Sequence, residues 1–310
     1  MPDLKTLDET KISALCFGTM QFGGGADDSA SNEMYDASRD AGINFFDTAY
    51  AYTNGRSEEF LGLYVQSERE SVYIATKADY SCPSTGENIL RSCDDSRKRL
   101  GVDQIDGFYL HRWDGETPLE VSFEALAELQ SKGVIRHIGV SNFAAWQAMK
   151  ALAVAREFGT TIDLLQPMYN LVKRQAEVEI LPMAIDQDIA VASYSPLGGG
   201  LLSGKYASGE KGRLSNDQMY AARYSPGWMH ETAQSLCDLA DEHKFHPATL
   251  AVAWAARHPG VTAPIISARS AAQLAPSLAA AGFQMNDTFY EAISAISITP
   301  PPATDRLEEA

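Results

Sequence analysis

Short runs of almost wholly apolar residues recur along the 310-residue chain, each followed by a longer stretch with helical spacing. The runs fall at residues 14–17, 43–46, 72–76, 105–110, 134–140, 163–167, 189–193 and 261–266. Runs this short, with no polar alternation, read as strands buried on both faces. Such strands pair in parallel under covering helices. Helical spacing falls between them, near residues 29–41, 57–66, 87–100, 118–132, 143–158, 175–186 and 270–280. Eight strand-and-helix units predict an α/β fold, a closed (β/α)8 TIM barrel forming one domain over residues 1–310. Residues 4–12 read as an N-terminal β-hairpin, and extra helices are expected near 230–243, 247–258 and 286–296, before a proline-rich tail from Pro300. Residues 203–229 read as one long irregular loop after strand seven, a length that commonly carries function.

With 41 acidic against 25 basic residues, the net charge of −16 argues against nucleic acid or an anionic membrane as the main partner. The opening Met1-Pro2-Asp3-Leu4-Lys5 lacks the basic start and apolar core of a secretory signal. No uninterrupted apolar run reaches the roughly 18 residues that span a bilayer, so a cytoplasmic location is expected. Cys16, Cys82, Cys93 and Cys237 are scattered without a C-x-x-C pair, which fits reduced thiols. No metal site is expected: His243 and His246 share a helix end but have no third ligand.

Four polar residues stand where successive strands end. Asp47 closes the strand at 43–46 and Tyr52 follows it, before a helix for which Ser57 reads as the N-cap. Lys77 ends V-Y-I-A-T-K and His111 ends F-Y-L-H. A (β/α)8 barrel keeps its chemistry at that end of its strands. Tyrosine has a reference pKa of about 10 and is a poor acid unless its phenolate is stabilised. A lysine cation beside it lowers that pKa, an aspartate holds the cation, and a histidine can orient a carbonyl oxygen. Taken singly, a lysine at a strand end is usually just solvated, a lone histidine there is more often structural than catalytic, and an aspartate often caps the next helix; the coincidence of all four points to proton donation to a carbonyl as hydride arrives.

The stretches F-D-T-A-Y-A-Y-T-N-G-R-S-E-E (46–59), A-T-K (75–77), Y-L-H-R (109–112), G-V-S-N-F (139–143), L-Q-P-M-Y-N (165–170), S-Y-S-P-L-G-G-G-L-L-S-G-K-Y (193–206) and I-S-A-R-S-A-A-Q-L (266–274) resemble the aldo-keto reductases, in order and over nearly the whole chain. The resemblance implies Tyr52 as general acid, Lys77 and Asp47 as its tuning pair, and His111 as the residue that orients substrate. It implies NADPH, with NADH possible, bound across the barrel mouth without a G-x-G-x-x-G motif. By that resemblance Gly18, Thr19, Met20 and Asp47 lie beside the cofactor, Ser141, Asn142 and Gln166 hold its carboxamide, and Tyr194 stacks on its nicotinamide ring. Ser195, Pro196, Leu197, Gly199, Leu201 and Lys205 follow the pyrophosphate, while Ser267 and Arg269 take the 2′-phosphate and Gln273 the adenosine end. Pro276 and Ser277 stand where the family has an acidic residue and an asparagine, leaving Ser277 as the candidate there.

Met20, Phe22, Tyr50, Tyr52, His111 and Trp113 are the candidates for the pocket of a small-molecule carbonyl substrate, with Tyr224 and Trp228 of the long loop beside them. A regulatory or sensing barrel that binds NADPH with little turnover is the alternative. Gly199-Gly200-Leu201-Leu202-Ser203-Gly204-Lys205 also matches the start of a P-loop, but Tyr206 stands where Ser or Thr must reach magnesium, so phosphate hydrolysis is not expected.

Overall fold

The structure, a computed structural model, describes residues 3–206, 212–306 and 308. Of the expected long loop, residues 207–211 lie outside the described residues, as do 307, 309 and 310 of the tail. The hairpin is present: Lys5 bridges Lys11, and Ile12 N–H donates to Leu4 O at 3.1 Å.

The first half of the barrel runs β1 (Cys16–Gly18), α1 (Asp28–Asp40), β2 (Phe45–Asp47), α2 (Arg56–Val65), β3 (Tyr73–Lys77), α3 (Gly86–Leu100), β4 (Ile105–Leu110) and α4 (Leu119–Ser131). The second half runs β5 (Ile135–Ser141), α5 (Ala145–Glu157), β6 (Leu164–Gln166), α6 (Ile180–Asp186) and β7 (Ala190–Val191). Then come α7 (Arg213–Asn216), α8 (Gln218–Arg223), α9 (Gly227–His243), α10 (Pro247–Arg257), β8 (Ile265–Ile266), α11 (Ala271–Leu278) and α12 (Asp287–Ala295). All neighbouring strands pair in parallel, in the order β7-β6-β5-β4-β3-β2-β1-β8. The ring closes between β7 and β8, where Thr262 N–H donates to Val191 O at 2.9 Å and Ile265 N–H to Ser193 O at 2.7 Å.

Strand alternation sorts the core in two. Cys16, Phe45, Tyr73, Ala75 and Tyr109 fill the barrel interior, closed below by Leu4 and Ile12 of the hairpin. Phe17, Phe46, Ile74 and Phe108 pack outward against the helices. The same period of two puts Asp47 in line with Phe45, and Lys77 in line with Tyr73 and Ala75, so both polar residues face into the barrel.

Several boundaries differ from the sequence expectation for identifiable reasons. β1, β2, β3 and β5 each run one residue further toward the mouth, because the registers Gly18↔Asp47, Lys77↔Tyr109 and Ser141↔Gln166 persist there. The eighth strand keeps only two residues, since Pro264 has no N–H to pair. The stretch at 175–186 splits into a 3-10 turn and α6, placing Pro182 in the first turn, where its missing N–H costs nothing. The loop after β7 is not wholly irregular, since it holds α7 and α8. Ser57 is not the cap of α2: Gly55 is, at φ 89°, and the Ser57 hydroxyl is buried between Thr19 and Thr48 at 2.8 and 2.9 Å.

Among the described residues no helix is long and apolar enough to cross a membrane, and all four cysteines are free thiols.

Gly62 is where α2 rests on the end of α3. A Cβ there would stand 2.5 Å from the Leu100 carbonyl oxygen, a backbone atom that cannot swing aside. Glycine to alanine inside a helix ordinarily stabilises by about 1 kcal/mol. Gly62→Ala is expected to do the reverse, destabilising by roughly 1–3 kcal/mol through overpacking. Urea unfolding checks this as a lowered midpoint at unchanged slope.

Candidate active site

Lys77 is fully buried, and its ammonium spends its donors on Asp47 Oδ1 at 2.5 Å, Thr48 O at 2.6 Å and Tyr52 OH at 3.4 Å. The second Asp47 oxygen accepts from Gln166 Nε2, across the barrel, at 2.8 Å. Burial by itself would lower the Lys77 pKa, but Asp47, and then Tyr52, outweigh it and hold the ammonium above its ordinary value. Burial likewise lifts the Asp47 carboxyl, against the pull of Lys77 and Gln166.

Tyr52 opens a 3-10 turn, Tyr52–Gly55, in which Thr53 and Asn54 take left-handed backbone angles (φ 49° and 56°). Left-handed geometry costs a residue with a Cβ about 1–2 kcal/mol. Part of what holds the turn is Thr53 Oγ1, which donates to Phe22 O at 2.8 Å. The expected lowering of the Tyr52 pKa is only one side of its balance. Burial, the larger effect, pushes the phenol above the ordinary tyrosine value, and Lys77 pulls it back without overcoming that.

His111 stands edge-on to Tyr52, with ring centroids 5.9 Å apart, and edge-on to Tyr80 at 4.7 Å. Its Nδ1 is buried with no hydrogen-bond partner. Burial, then the Lys77 and Arg112 cations, push its pKa down to about 3, so the ring is neutral at physiological pH. A neutral imidazole with open hydrogen-bonding capacity is suited to holding a carbonyl oxygen.

A cavity of about 930 Å³ opens on these groups and runs from Tyr52 and His111 to α9, α10 and α11. Of the residues expected around a cofactor, Gly18, Met20, Asp47, Ser141, Asn142, Gln166, Tyr194, Ser195, Pro196, Leu197, Gly199, Lys205, Ser267, Arg269 and Gln273 line it. Three do not. Thr19 is buried behind the wall, donating to Asp47 O, Leu201 lies in the core, and Ser277 is buried while Pro276 takes its place on the wall. The polar set is already knit together: Tyr194 OH donates to Asn142 Oδ1 at 2.7 Å, and Asn142 Nδ2 to Ser141 Oγ at 3.1 Å and His111 O at 3.0 Å. Arg269 Nε reaches Gln21 Oε1 at 3.4 Å, while Gln273 Oε1 accepts from the Arg269 backbone N–H at 2.9 Å.

The expected substrate pocket is corrected more heavily. Met20, Tyr52 and His111 are on the cavity wall, but Phe22 is fully buried against Phe17. Tyr50 turns away, its ring under Arg99 at 4.3 Å and its hydroxyl accepting from Arg91 at 2.8 Å. Trp113 packs on Phe143 and Trp146 beside the mouth, Tyr224 is buried against Asn170, and Trp228 packs on the core. Residues the sequence reading missed include Gln21, Tyr220, Cys237, Asp241 and His246 on the wall, and Tyr80 against His111. Only His246-Pro247 carried a local signal, a capping residue before a proline at a helix start; His246 Nδ1 indeed accepts from Ala248 N–H. The glycine-rich stretch after β7 is a 3-10 turn with Gly199 and Gly200 at φ 67° and 96°, not a strand–loop–helix phosphate cradle.

The family model for the aldo/keto reductase family matches residues 14–298. The chain is 33% identical to YrpG, an uncharacterized oxidoreductase of Bacillus subtilis, over 96% of this chain and 95% of that one. It is 30% identical to a probable voltage-gated potassium channel subunit beta of Arabidopsis thaliana, over 96% and 93%. It is also 36% identical to aflatoxin B1 aldehyde reductase member 2 of Rattus norvegicus, over 63% of this chain and 54% of that one. The barrel, the strand-end residues at its mouth and these likenesses agree: the chain belongs to the aldo/keto reductase family and is an NAD(P)H-dependent oxidoreductase.

Proposed function

We propose that the protein reduces aldehydes or ketones to alcohols with NADPH, and that Tyr52 is the general acid. The observation that carries this reading is the buried Lys77 ammonium, fixed between Asp47 and Tyr52 beside the unpartnered His111 nitrogen, at one end of the long cavity. The nicotinamide cofactor, when bound, supplies the hydride to the carbonyl carbon. Tyr52 gives its phenolic proton to the carbonyl oxygen, and the Lys77 cation holds the phenolate that remains until solvent returns a proton. Asp47 keeps Lys77 charged and in place. The neutral His111 ring donates a hydrogen bond to the same oxygen and fixes the carbonyl's approach.

The donors along the cavity fit such a cofactor. Tyr194 offers an aromatic face near Tyr52, and Ser141, Asn142 and Gln166 cluster beside it. Ser267 and Arg269 offer a hydroxyl and a planar cationic fork suited to a phosphate dianion.

A second reading has its own support, the likeness to proteins named as potassium channel beta subunits: a barrel that binds NADPH and acts through a partner, turning over little. The two readings separate on one assay, the oxidation of NADPH and of NADH against a panel of small aldehydes, ketones and sugars. Turnover on some member supports the reductase; tight NADPH binding with none supports the second.

Tyr52→Phe is expected to lower kcat by about 10²–10⁴-fold, the span of general acid catalysis, with NADPH affinity unchanged by fluorescence titration; unchanged turnover would remove Tyr52 from the mechanism. Arg269→Ala is expected to weaken NADPH by roughly 10–100-fold, the value of a charge-assisted hydrogen bond, and NADH far less. Equal losses would show that Arg269 does not meet the 2′-phosphate. The pH profile of kcat/KM for reduction follows from the shifts. His111 stays neutral down to about 3, and the acid Tyr52 stays protonated past the ordinary tyrosine range. The rate should therefore show no inflection near the ordinary histidine value, and a limb there would mean that His111 titrates.

A further inference from the structure

We propose that the ion pair between the buried Glu58 of α2 and the half-buried Arg99 of α3 is a positioning device that sets the height of the Tyr52 hydroxyl over Lys77. The inference rests on the reading of Tyr52 as the acid. It starts from a backbone that needs holding. Thr53, Asn54 and Gly55 are left-handed in succession, φ 49°, 56° and 89°, and Thr53, being branched at Cβ, suits that geometry poorly.

Arg99 clamps both sides of this turn. Its NH1 donates to Tyr50 O at 3.1 Å, two residues before Tyr52, and its guanidinium lies 4.3 Å above the Tyr50 ring. On the far side a Cβ on Gly55 would stand 2.7 Å from the guanidinium carbon, so the arginine lies flat against the glycine that ends the turn.

Arg99 is itself held by Glu58, whose side chain is entirely buried and whose Oε2 accepts from NH1 at 3.1 Å. The other Glu58 oxygen accepts from Thr76 Oγ1 at 2.6 Å. Thr76 is the residue before Lys77 and faces out of the barrel where Lys77 faces in. One carboxylate therefore ties the strand that delivers the lysine to the arginine that clamps the tyrosine turn. The route Thr76–Glu58–Arg99–Tyr50 runs behind the wall, none of the four lining the cavity, yet its two ends flank the two groups whose separation, 3.4 Å, decides how well the cation holds the phenolate.

The test is Arg99→Met, which keeps bulk and removes the fork, with Arg99→Lys as the conservative variant. A displacement near 1 Å can cost a reaction about 10²-fold. Arg99→Met is expected to lower kcat on that scale with NADPH affinity unchanged, and Arg99→Lys to recover a large part of it. The primary isotope effect with deuterated NADPH should rise in Arg99→Met as the chemical step slows, which loss of folded protein would not cause. A crystal structure of the variant should show the Tyr52 hydroxyl withdrawn from Lys77. An unmoved hydroxyl, or a loss of NADPH affinity equal to the loss of kcat, overturns the proposal. Should the wild-type protein reduce no carbonyl, the functional reading fails, and the crystallographic position of Tyr52 still decides the brace. Should Arg99→Met not fold, Thr76→Val severs the same route without removing a charge and is judged by the same measurements.

Discussion

An ammonium group buried out of water at the end of β3 sets the terms for the upper half of the barrel. Removing a charge from water costs several kcal/mol even after relaxation, and the cost is met only with a partner and further hydrogen bonds in good geometry. Lys77 finds them on β2 and the loop after it, in Asp47, Thr48 O and Tyr52. Asp47 completes its own shell on β6, through Gln166. Strands β2, β3 and β6 are thus tied to one charge. A register slip of one residue would turn Lys77 outward into the helix layer, where Phe46, Ile74 and Phe108 pack. The pairings Asp47↔Ala75 and Lys77↔Tyr109 are therefore fixed by electrostatics as much as by the apolar interior beneath them.

The opposite end of the barrel buries charge too, and the comparison shows what is peculiar to the mouth. Asp106 on β4 is fully buried, and it is met by Arg69 at 2.7 Å, Arg136 at 2.8 Å and the backbone N–H of Ile74 at 2.8 Å. Arg136 also donates to Lys5 O at 2.8 Å and so fastens the hairpin across the floor. His137 sits in the same network against Tyr73 at 3.0 Å. At the floor, the buried carboxylate and the half-buried imidazole both find partners, which is how a structural network is built. At the mouth His111 Nδ1 is buried with none. The His111 ring as a whole stands on the cavity wall.

The barrel and its four strand-end residues were legible because each rests on a local rule. Apolar runs too short for helices mark buried strands, and an acid or a lysine at the end of such a run has nowhere to go but the mouth. What was not legible rests on tertiary arrangement. Ser57 has the residue type and spacing of an N-cap, but Gly55 supplies the backbone turn and leaves the hydroxyl to Thr19 and Thr48. Phe22 and Tyr50 flank the mouth in sequence, yet packing against Phe17 draws one into the core and a stack under Arg99 draws the other to the outside. Tyr220 and Asp241 reach the cavity from elements after β7 whose paths no periodicity encodes. Glycines and aromatics in a loop say that it turns and packs, not where it goes.

The acidity of the whole chain, −16, does not extend into the cavity. Among its described lining residues the fixed charges are Asp47, Lys205, Asp241 and Arg269. Asp47 is neutralised by Lys77 within its own hydrogen-bond shell, and Lys205, Asp241 and Arg269 are the other fixed charges of the wall. Charges beyond about 8 Å are largely screened at physiological ionic strength, while those lining a concave wall act at shorter range and are screened less. A ligand carrying phosphates, as the proposed cofactor does, would meet repulsion that fades with salt on approach and, at Arg269, an attraction that salt weakens far less. A negative surface is therefore compatible with the proposed cofactor site, because the two sets of charges act at different distances from the ligand.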